Sequence, residues 1–279
     1  MNSTTSLLSS SLNPLTETAV LPRRSMAAAL APLERMASGS SSLLANHGAN
    51  FEAAGRKYDL PRYLVIGPKG GDDPIRLGLF AGLHGDAPEG VYALIQFLVM
   101  LEESPELARG YCLFVYPVCN PTGFEDHTRL SRSGRDLDRQ FWQGSGSPET
   151  KLLESELVAH AFHGIVSLYT DRNSLGFYGF AHGATLTRHL IEPALQAAEE
   201  FLPRNGEAKI EGLRARNGII RHGHPGALSG APRVRPRPFE IALATPEQPP
   251  TYLKETAFVA ALRTILARYR ELISYAPNL

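Results

Sequence analysis

Apolar segments typical of buried strands alternate with amphipathic helical segments along most of the chain, and this alternation limits the fold more than any other feature. Such an order predicts an α/β fold, in which a mixed, mostly parallel sheet carries helices on both faces. The predicted strands are 51–58, 63–67, 76–83, 111–118, 164–169 and 240–244. The predicted helices are 25–36, 90–103, 151–163, 186–201 and 254–275.

The chain is long enough to bury a sizeable core, since it has 279 residues of which 43% are hydrophobic. We expect one α/β domain over residues 23–279, preceded by a Ser- and Thr-rich segment, residues 1–22, that we expect to be disordered. The only two cysteines, Cys112 and Cys119, lie on or near one predicted strand, and we expect buried thiols.

Charge and hydropathy exclude two classes of partner. Lys plus Arg and Asp plus Glu number 28 each, so the chain lacks the basic character of a protein that binds nucleic acid or an anionic membrane. No apolar run reaches the roughly 20 residues that span a bilayer. The first residues lack the pattern of a signal peptide, so we expect a cytoplasmic protein. The oligomeric state does not follow from the sequence.

His84 stands on a glycine-flanked turn between a predicted strand and a predicted helix. The segment reads Gly82-Leu83-His84-Gly85-Asp86-Ala87-Pro88-Glu89-Gly90. A His at a strand end and a Glu three residues later, at the start of a helix, can converge on one zinc ion. The third residue after His84 is Ala87, so this loop carries only one of the two donors.

A second, longer run of polar motifs follows the strand predicted at 111–118. It contains Tyr116-Pro117-Val118-Cys119-Asn120-Pro121-Thr122-Gly123-Phe124, then Thr128-Arg129, then Gly134-Arg135-Asp136-Leu137-Asp138-Arg139. An Arg guanidinium stays charged and can pair with a carboxylate through two parallel hydrogen bonds. The run therefore supplies candidate groups for binding a carboxylate.

Both segments resemble motifs of the zinc carboxypeptidase superfamily, and within it of the succinylglutamate desuccinylase and aspartoacylase branch. The first is similar to His-Gly-Asp-Glu-Pro, and the second to Asn-Pro-x-Gly, Thr-Arg and Gly-x-Asp-Leu-Asn-Arg. The resemblance implies that Arg129 polarises the scissile carbonyl, with Arg132 as a weaker alternative. It also implies that Arg139 and its neighbour bind the substrate carboxylate. Asp138 stands where the family has Asn.

Two further segments extend the resemblance, which covers roughly residues 48–272. Ile165-Val166-Ser167-Leu168-Tyr169-Thr170-Asp171, followed by Gly176-Phe177-Tyr178, resembles a strand that ends in Ser-Leu-His-Glu-Asp before Gly-Phe-Tyr. In this match, Tyr169 corresponds to the position of the remaining zinc ligand, and Tyr178 corresponds to a residue of the substrate pocket. Pro238-Phe239-Glu240-Ile241-Ala242-Leu243-Ala244-Thr245-Pro246 resembles the strand that ends in Glu-Thr-Pro, and it places Ala244 on the general base.

The resemblance therefore implies a hydrolase fold in which zinc and its matching acids have been lost together. Two buried carboxylates without a metal would repel each other and be poorly solvated, so their joint loss keeps the pocket near charge balance. We expect neither zinc nor hydrolysis, but binding of a small carboxylate or peptide end through Arg129, Asp138, Arg139 and Tyr178. In this interpretation, Asp138 pairs internally with Arg139 or Arg129.

An alternative stays open. The chain could be an active metal-dependent amidohydrolase, a carboxypeptidase or an N-acyl amino acid deacylase, that holds zinc through His84 and unconventional partners. The acids and imidazoles that could rebuild such a site are Glu89, Asp171 and His182.

Overall fold

The computed structural model describes residues 22–48, 50–71, 73–183, 186–223 and 226–275. The strands in these residues are β1 (Leu43–Ala45), β2 (Asn50–Ala53), β3 (Arg56–Asp59), β4 (Tyr63–Ile66), β5 (Ile75–Phe80), β6 (Tyr111–Tyr116), β7 (Gly164–Asp171), β8 (Tyr178–Gly183), β9 (Lys209–Ile210), β10 (Leu213–Arg216), β11 (Ile219–Ile220) and β12 (Phe239–Pro246). The α-helices are α1 (Met26–Gly39), α2 (Glu89–Glu103), α3 (Pro121–Asp126), α4 (Pro148–His160), α5 (Thr187–Ala198) and α6 (Thr251–Tyr275). No helix in the described ranges is long and apolar enough to cross a bilayer.

Within the described residues, ten strands form one mixed sheet in the order β1-β4-β6-β5-β7-β12-β8-β11-β10-β9, and β2 pairs with β3 apart from it. The four central strands β6, β5, β7 and β12 are parallel, whereas β4 and β8 join them antiparallel. The predicted mixed α/β sheet is confirmed. Because parallel strands end at the same edge, the segments that follow β5, β6, β7 and β12 meet there.

The two faces of the sheet are covered differently. On β7, Val166 and Leu168 pack into the larger core together with buried residues of α1, α2, α5 and α6. Alternate residues of a strand point to opposite faces, so Ile165, Ser167 and Tyr169 face the other way. That face is covered in part by α4 and the segment 137–142. The remainder borders a cavity.

Some predicted boundaries are wrong for local reasons. The strand predicted at 51–58 is a hairpin, because Ala54 and Gly55 turn the chain with φ of 50° and 72°. The helix predicted at 151–163 ends at His160, because Ala161 adopts a left-handed conformation with φ of 42°. The segment predicted to be disordered is 1–22, of which residues 1–21 lie outside the described residues, so the division of the chain into segment and domain stays a prediction.

Candidate functional site

A cavity of about 960 Å³ lies on the less covered face of the sheet. This volume is at the upper end of the range for small-molecule sites, about 300–1,000 Å³. Strands β7, β12 and β8 form its floor, and their register arranges the floor side chains in three rows. The first row, at the carboxyl ends of β7 and β12, is Tyr169, Ala244 and Tyr178; the second is Ser167, Ala242 and Phe180; the third is Ile165, Glu240 and His182.

Ala244, the residue at the general-base position, stands between two tyrosines. It pairs directly with Tyr169 on β7 and with Tyr178 on β8, and its own side chain is buried. The methyl group of an alanine transfers no proton. In the first row, a phenol therefore lies where the family motifs place a zinc ligand, and a methyl group lies where they place the general base.

The Tyr169 hydroxyl is hydrogen-bonded to an acidic side chain. It donates a hydrogen bond of 2.8 Å to Oδ1 of Asp138. Burial, and then the neighbouring Asp138 carboxylate, raise the pKa of Tyr169 well above its ordinary value. Burial also raises the pKa of Asp138, against the opposing influence of His84 and of the Tyr169 hydroxyl. The neutral phenol is consequently the stable form of Tyr169 at this position.

Tyr178 has the same character at the other end of the row. Its hydroxyl lies 3.0 Å from Oδ2 of Asp171 and 3.2 Å from Oε1 of Glu211. Burial, followed by the charges of these two acids, raises the pKa of Tyr178 far above its usual range. The ring is buried and lines the cavity.

Two loops hold His84 at the edge of the sheet. The Asn120 side chain accepts a hydrogen bond of 2.9 Å from Gly123 N at the start of α3 and donates one of 3.2 Å to Leu83 O. The Asn120 backbone N–H also donates to Gly82 O at 2.9 Å. Gly85 lies so close to α3 that an added Cβ would come within 1.9 Å of Gly123 C. Because Gly85 has no Cβ, the loop can pack against α3, and this packing fixes the position of the His84 side chain.

His84 and Arg129 share one carboxylate. Nε2 of His84 lies 3.2 Å from Oδ1 of Asp136, and Nε of Arg129 donates to Oδ2 at 3.1 Å. Burial by itself would raise the pKa of Asp136, but the contacts with His84 and Arg129 outweigh it and hold this pKa well below the usual range. Asp136 lies within the motif at residues 134–139, but the sequence alone predicted no role for it.

The prediction that Asp138 forms an ion pair with Arg139 or Arg129 is wrong. Among the described residues, the Asp138 carboxylate accepts a hydrogen bond from Tyr169. Arg129, one of the two arginines expected to pair with it, forms an ion pair with Asp136 instead. The reason is geometric: the short helical turn over residues 137–139 begins with the Asp136 side chain accepting from Asp138 N at 3.2 Å, and this places the two acids on different partners.

Arg139 lines the cavity with an exposed side chain. In the described part of the chain, no hydrogen bond or ion pair occupies its guanidinium. Arg132 is different, because it pairs with Asp126 through two hydrogen bonds of 2.7 and 2.9 Å and lies outside the cavity lining. Of the three arginines predicted for the site, Arg129 and Arg139 thus line the cavity and Arg132 does not.

The three residues considered for a rebuilt metal site lie apart. Glu89 is paired with the buried Lys254 and accepts from Thr170 at 3.0 Å, on the opposite face of the sheet from Tyr169. Asp171 bonds to Tyr178 at the cavity edge. His182 is exposed in the third row, two rows away from the carboxyl ends of β7 and β12.

The residues present do not fit a zinc ion. His84 offers one nitrogen, Nδ1, which is buried and has no partner in the described residues, while Nε2 is committed to Asp136. Ala87 has no donor atom, and the Tyr169 hydroxyl is neutral and bonded to Asp138. Across the described ranges, no three His, Cys, Asp or Glu side chains come together as metal ligands.

Comparison with solved structures assigns the fold. The chain is similar to a "putative metallopeptidase" from Shewanella denitrificans OS217, with 22% identity and a TM-score of 0.68 over 87% of each chain. A "putative metallopeptidase" from Shewanella amazonensis SB2B gives 21% identity and a TM-score of 0.71 over 86% of this chain and 91% of that one. A metallo-carboxypeptidase from Burkholderia cenocepacia gives 15% identity and a TM-score of 0.63, covering 88% and 68%.

These likenesses define the class: the protein has a zinc carboxypeptidase-like α/β fold. Comparison of the sequence with protein-family models and with curated proteins finds no match. At these identities the structural likeness shows the fold alone, so activity is argued from the site itself.

Proposed function

We propose that this protein is a non-catalytic relative of the succinylglutamate desuccinylase and aspartoacylase branch that binds a small carboxylate or the carboxyl end of a peptide, with Arg139 and Arg129 as the anion-binding groups. The observation that carries the proposal is the first row of the cavity floor, where Ala244 lies between two bonded tyrosines. A cytoplasmic location remains part of the same proposal.

The loss of hydrolysis follows from what these side chains can do. Positioned acid-base catalysis is worth about a hundred- to ten-thousand-fold in rate, and the alanine at the general-base position has no group that can accept a proton. His84 supplies one nitrogen where structural and catalytic zinc sites use three or four protein ligands. Both requirements for metal-assisted attack of water are therefore unmet by the residues at the family positions.

The binding role rests on the arginines. Arg139 exposes a guanidinium without a partner among the described residues to a cavity large enough for a small molecule. Arg129 is held only through Nε, so its two terminal nitrogens are not engaged by any described residue. A planar guanidinium with available donors binds a carboxylate through charge-assisted hydrogen bonds, which are among the strong ones in proteins.

Zinc content of the natively purified protein tests the loss of the metal. We expect far less than one zinc per chain. The double variant Ala87→Glu/Tyr169→His, which restores both missing donors beside His84, is the positive control and is expected to retain about one zinc per chain. Stoichiometric zinc in the unmodified protein, together with release of amino acid from N-acylated substrates, would establish the active amidohydrolase instead.

Thermal stabilisation by hexanoate tests the binding role, with hexanamide as the uncharged comparison. A ligand that binds only the folded state raises its stability with concentration. We expect hexanoate to raise the melting temperature and hexanamide to have little effect. The variants Arg139→Ala and Arg129→Ala should lose most of this response. Arg135→Ala, which removes an exposed arginine outside the cavity lining, is the matched control and should respond like the parent.

The proposal fails if hexanoate and hexanamide give equal shifts, or if the Arg139 and Arg129 variants both respond like the parent. Retained response in only one of them would assign the carboxylate to the other arginine.

A further inference from the structure

Glu240 is a cavity-facing acid that the proposed carboxylate site leaves unused. It lies in the third row of the floor, between Ile165 and His182. It is four residues before Ala244 on the same face of β12, which separates the two by about 13 Å at the usual rise per residue. The cavity extends continuously from the arginines to this acid, since both border it.

The Glu240 carboxylate is only partly satisfied. Oε1 accepts a hydrogen bond of 2.9 Å from Gly230 N, and no described residue donates to Oε2. Burial raises the pKa of Glu240, against the opposing influence of the Gly230 hydrogen bond and of nearby His182 and Arg237. A carboxylate taken from water without an ion pair is destabilised, and a cation beside it would relieve that cost.

Two basic side chains lie near Glu240, but neither neutralises it. His182 and Arg237 are exposed, and no ion pair within 4.0 Å joins either of them to Glu240 in the described residues. The cavity wall beside Glu240 is formed by the segment that precedes β12, whose Gly230 N donates to the Glu240 carboxylate. There, Gly226 O accepts from Phe141 N at 3.1 Å and Ser229 O accepts from Trp142 Nε1 at 3.1 Å.

The arginines of the proposed carboxylate site and the partly satisfied Glu240 carboxylate therefore lie toward different ends of the cavity. Arg139 lies beside the first row, and Glu240 lies in the third row. A ligand with a carboxylate at one end and an ammonium or guanidinium at the other matches both. The second row between them, Ser167, Ala242 and Phe180, offers mostly apolar surface for an aliphatic stem.

Building on the proposed function, we propose that Glu240 selects ligands that carry a cationic group distal to their carboxylate, such as an ω-amino acid or a basic residue at a peptide carboxyl end. Glu240 binds the ammonium or guanidinium through Oε2, while Arg139 and Arg129 bind the carboxylate. Glu240 is a specificity residue in this arrangement, and it takes no part in chemistry.

Matched pairs of ligands test the selection. Dissociation constants are measured by calorimetry for straight-chain ω-amino acids from four to eight carbons and for the alkanoates of equal length. At one or more lengths we expect the ammonium group to tighten binding by about tenfold, the size of one hydrogen bond to a charged group. Glu240→Gln keeps the shape and hydrogen-bonding capacity of the side chain but removes its charge, and it should abolish this preference.

The control is Glu207→Gln, which removes an exposed acid from the same cavity lining and should keep the preference. Equal affinity of the paired ligands at every length, with alkanoates still bound, would overturn the selection by Glu240 and leave the carboxylate site standing. An unchanged preference in Glu240→Gln would overturn it as well. Absence of binding by every alkanoate and every ω-amino acid would overturn the carboxylate site and the selection together.

Discussion

The hydroxyl of Tyr169 donates a hydrogen bond of 2.8 Å to Oδ1 of Asp138, and in the family motifs these two positions are His and Asn. The two side chains are complementary, because the phenol donates a hydrogen bond to a carboxylate that faces into the protein. Together they form one hydrogen-bonded unit at the cavity.

Tyr169→Phe should destabilise the protein by about 1–3 kcal/mol, because it leaves a buried carboxylate without its donor. Loss of the donor should also raise the Asp138 pKa further. A carboxyl whose folded-state pKa is raised binds protons more tightly when folded, so stability falls as pH rises above its unfolded pKa of about 3.9.

Urea unfolding at several pH values measures this effect, and the deficit of Tyr169→Phe should grow as pH increases from about 4. Tyr252→Phe, at a site 65% exposed, is the control and should change stability little. In the Asp138→Asn background, Tyr169→Phe should cost less than alone. A full cost in that background would show that the ring, and not the hydrogen bond, carries the effect.

Asp136→Asn should weaken both the His84 contact and the Arg129 contact and lower stability at neutral pH by about 1–3 kcal/mol. The pKa of Asp136 is lowered in the folded state, so its contribution is fully present above the unfolded pKa of about 3.9 and is lost as pH falls toward the lowered folded value. The parent and variant stabilities should therefore converge below about pH 4. Glu103→Gln, at an exposed acid, should leave the acid limb unchanged, and parallel curves for Asp136→Asn would contradict the assignment.

Lys254→Met should destabilise the fold by about 3–5 kcal/mol, because it leaves Glu89 as a buried carboxylate without its cation. Lys254 is 3% exposed, and its Nζ binds Glu89 and donates to Glu247 O at 3.0 Å. The double variant Glu89→Leu/Lys254→Met removes both charges and should recover much of the loss in urea unfolding. Lys151→Met, an exposed position, is the control; a double variant no more stable than Lys254→Met would refute the pairing argument.

Gly85→Ala should cost about 3 kcal/mol, because the new methyl group would overlap the backbone at Gly123 rather than a flexible side chain. The displaced loop should also weaken the contact between His84 and Asp136. The imidazole NMR signals of His84 report that contact. Gly146→Ala, where a Cβ meets nothing within 4 Å, should be nearly neutral, and equal stability of the two variants would show that the turn can relax.

The strands that the sequence predicted well are rich in apolar residues. β4, β5, β6, β7 and β12 each contribute several buried apolar side chains to the core, and such runs are visible without a structure. β8 was not predicted as a strand, although the Gly-Phe-Tyr motif ends at its first residue. Its residues, including Gly179 and His182, form no apolar run.

The roles predicted for Ala87, Tyr169 and Ala244 also came from the sequence alone, and they stay predictions. Each was predicted from its spacing within a motif at a strand end, and local spacing is a property of the chain. The sequence likewise placed Glu240 and Ala244 on one face of their strand, because strand alternation is local.

Which partners these residues have was decided by tertiary structure. The register between β7, β12 and β8 places Ala244 between Tyr169 and Tyr178. The turn after Asp136 directs the Asp138 carboxylate to Tyr169, whereas the Asp136 carboxylate contacts His84 and Arg129. These pairs join residues from separate segments of the chain. Local propensity and spacing act over a few residues. The donor that an acid contacts, in contrast, depends on how the whole sheet packs, because that packing determines which side chains come within hydrogen-bonding distance.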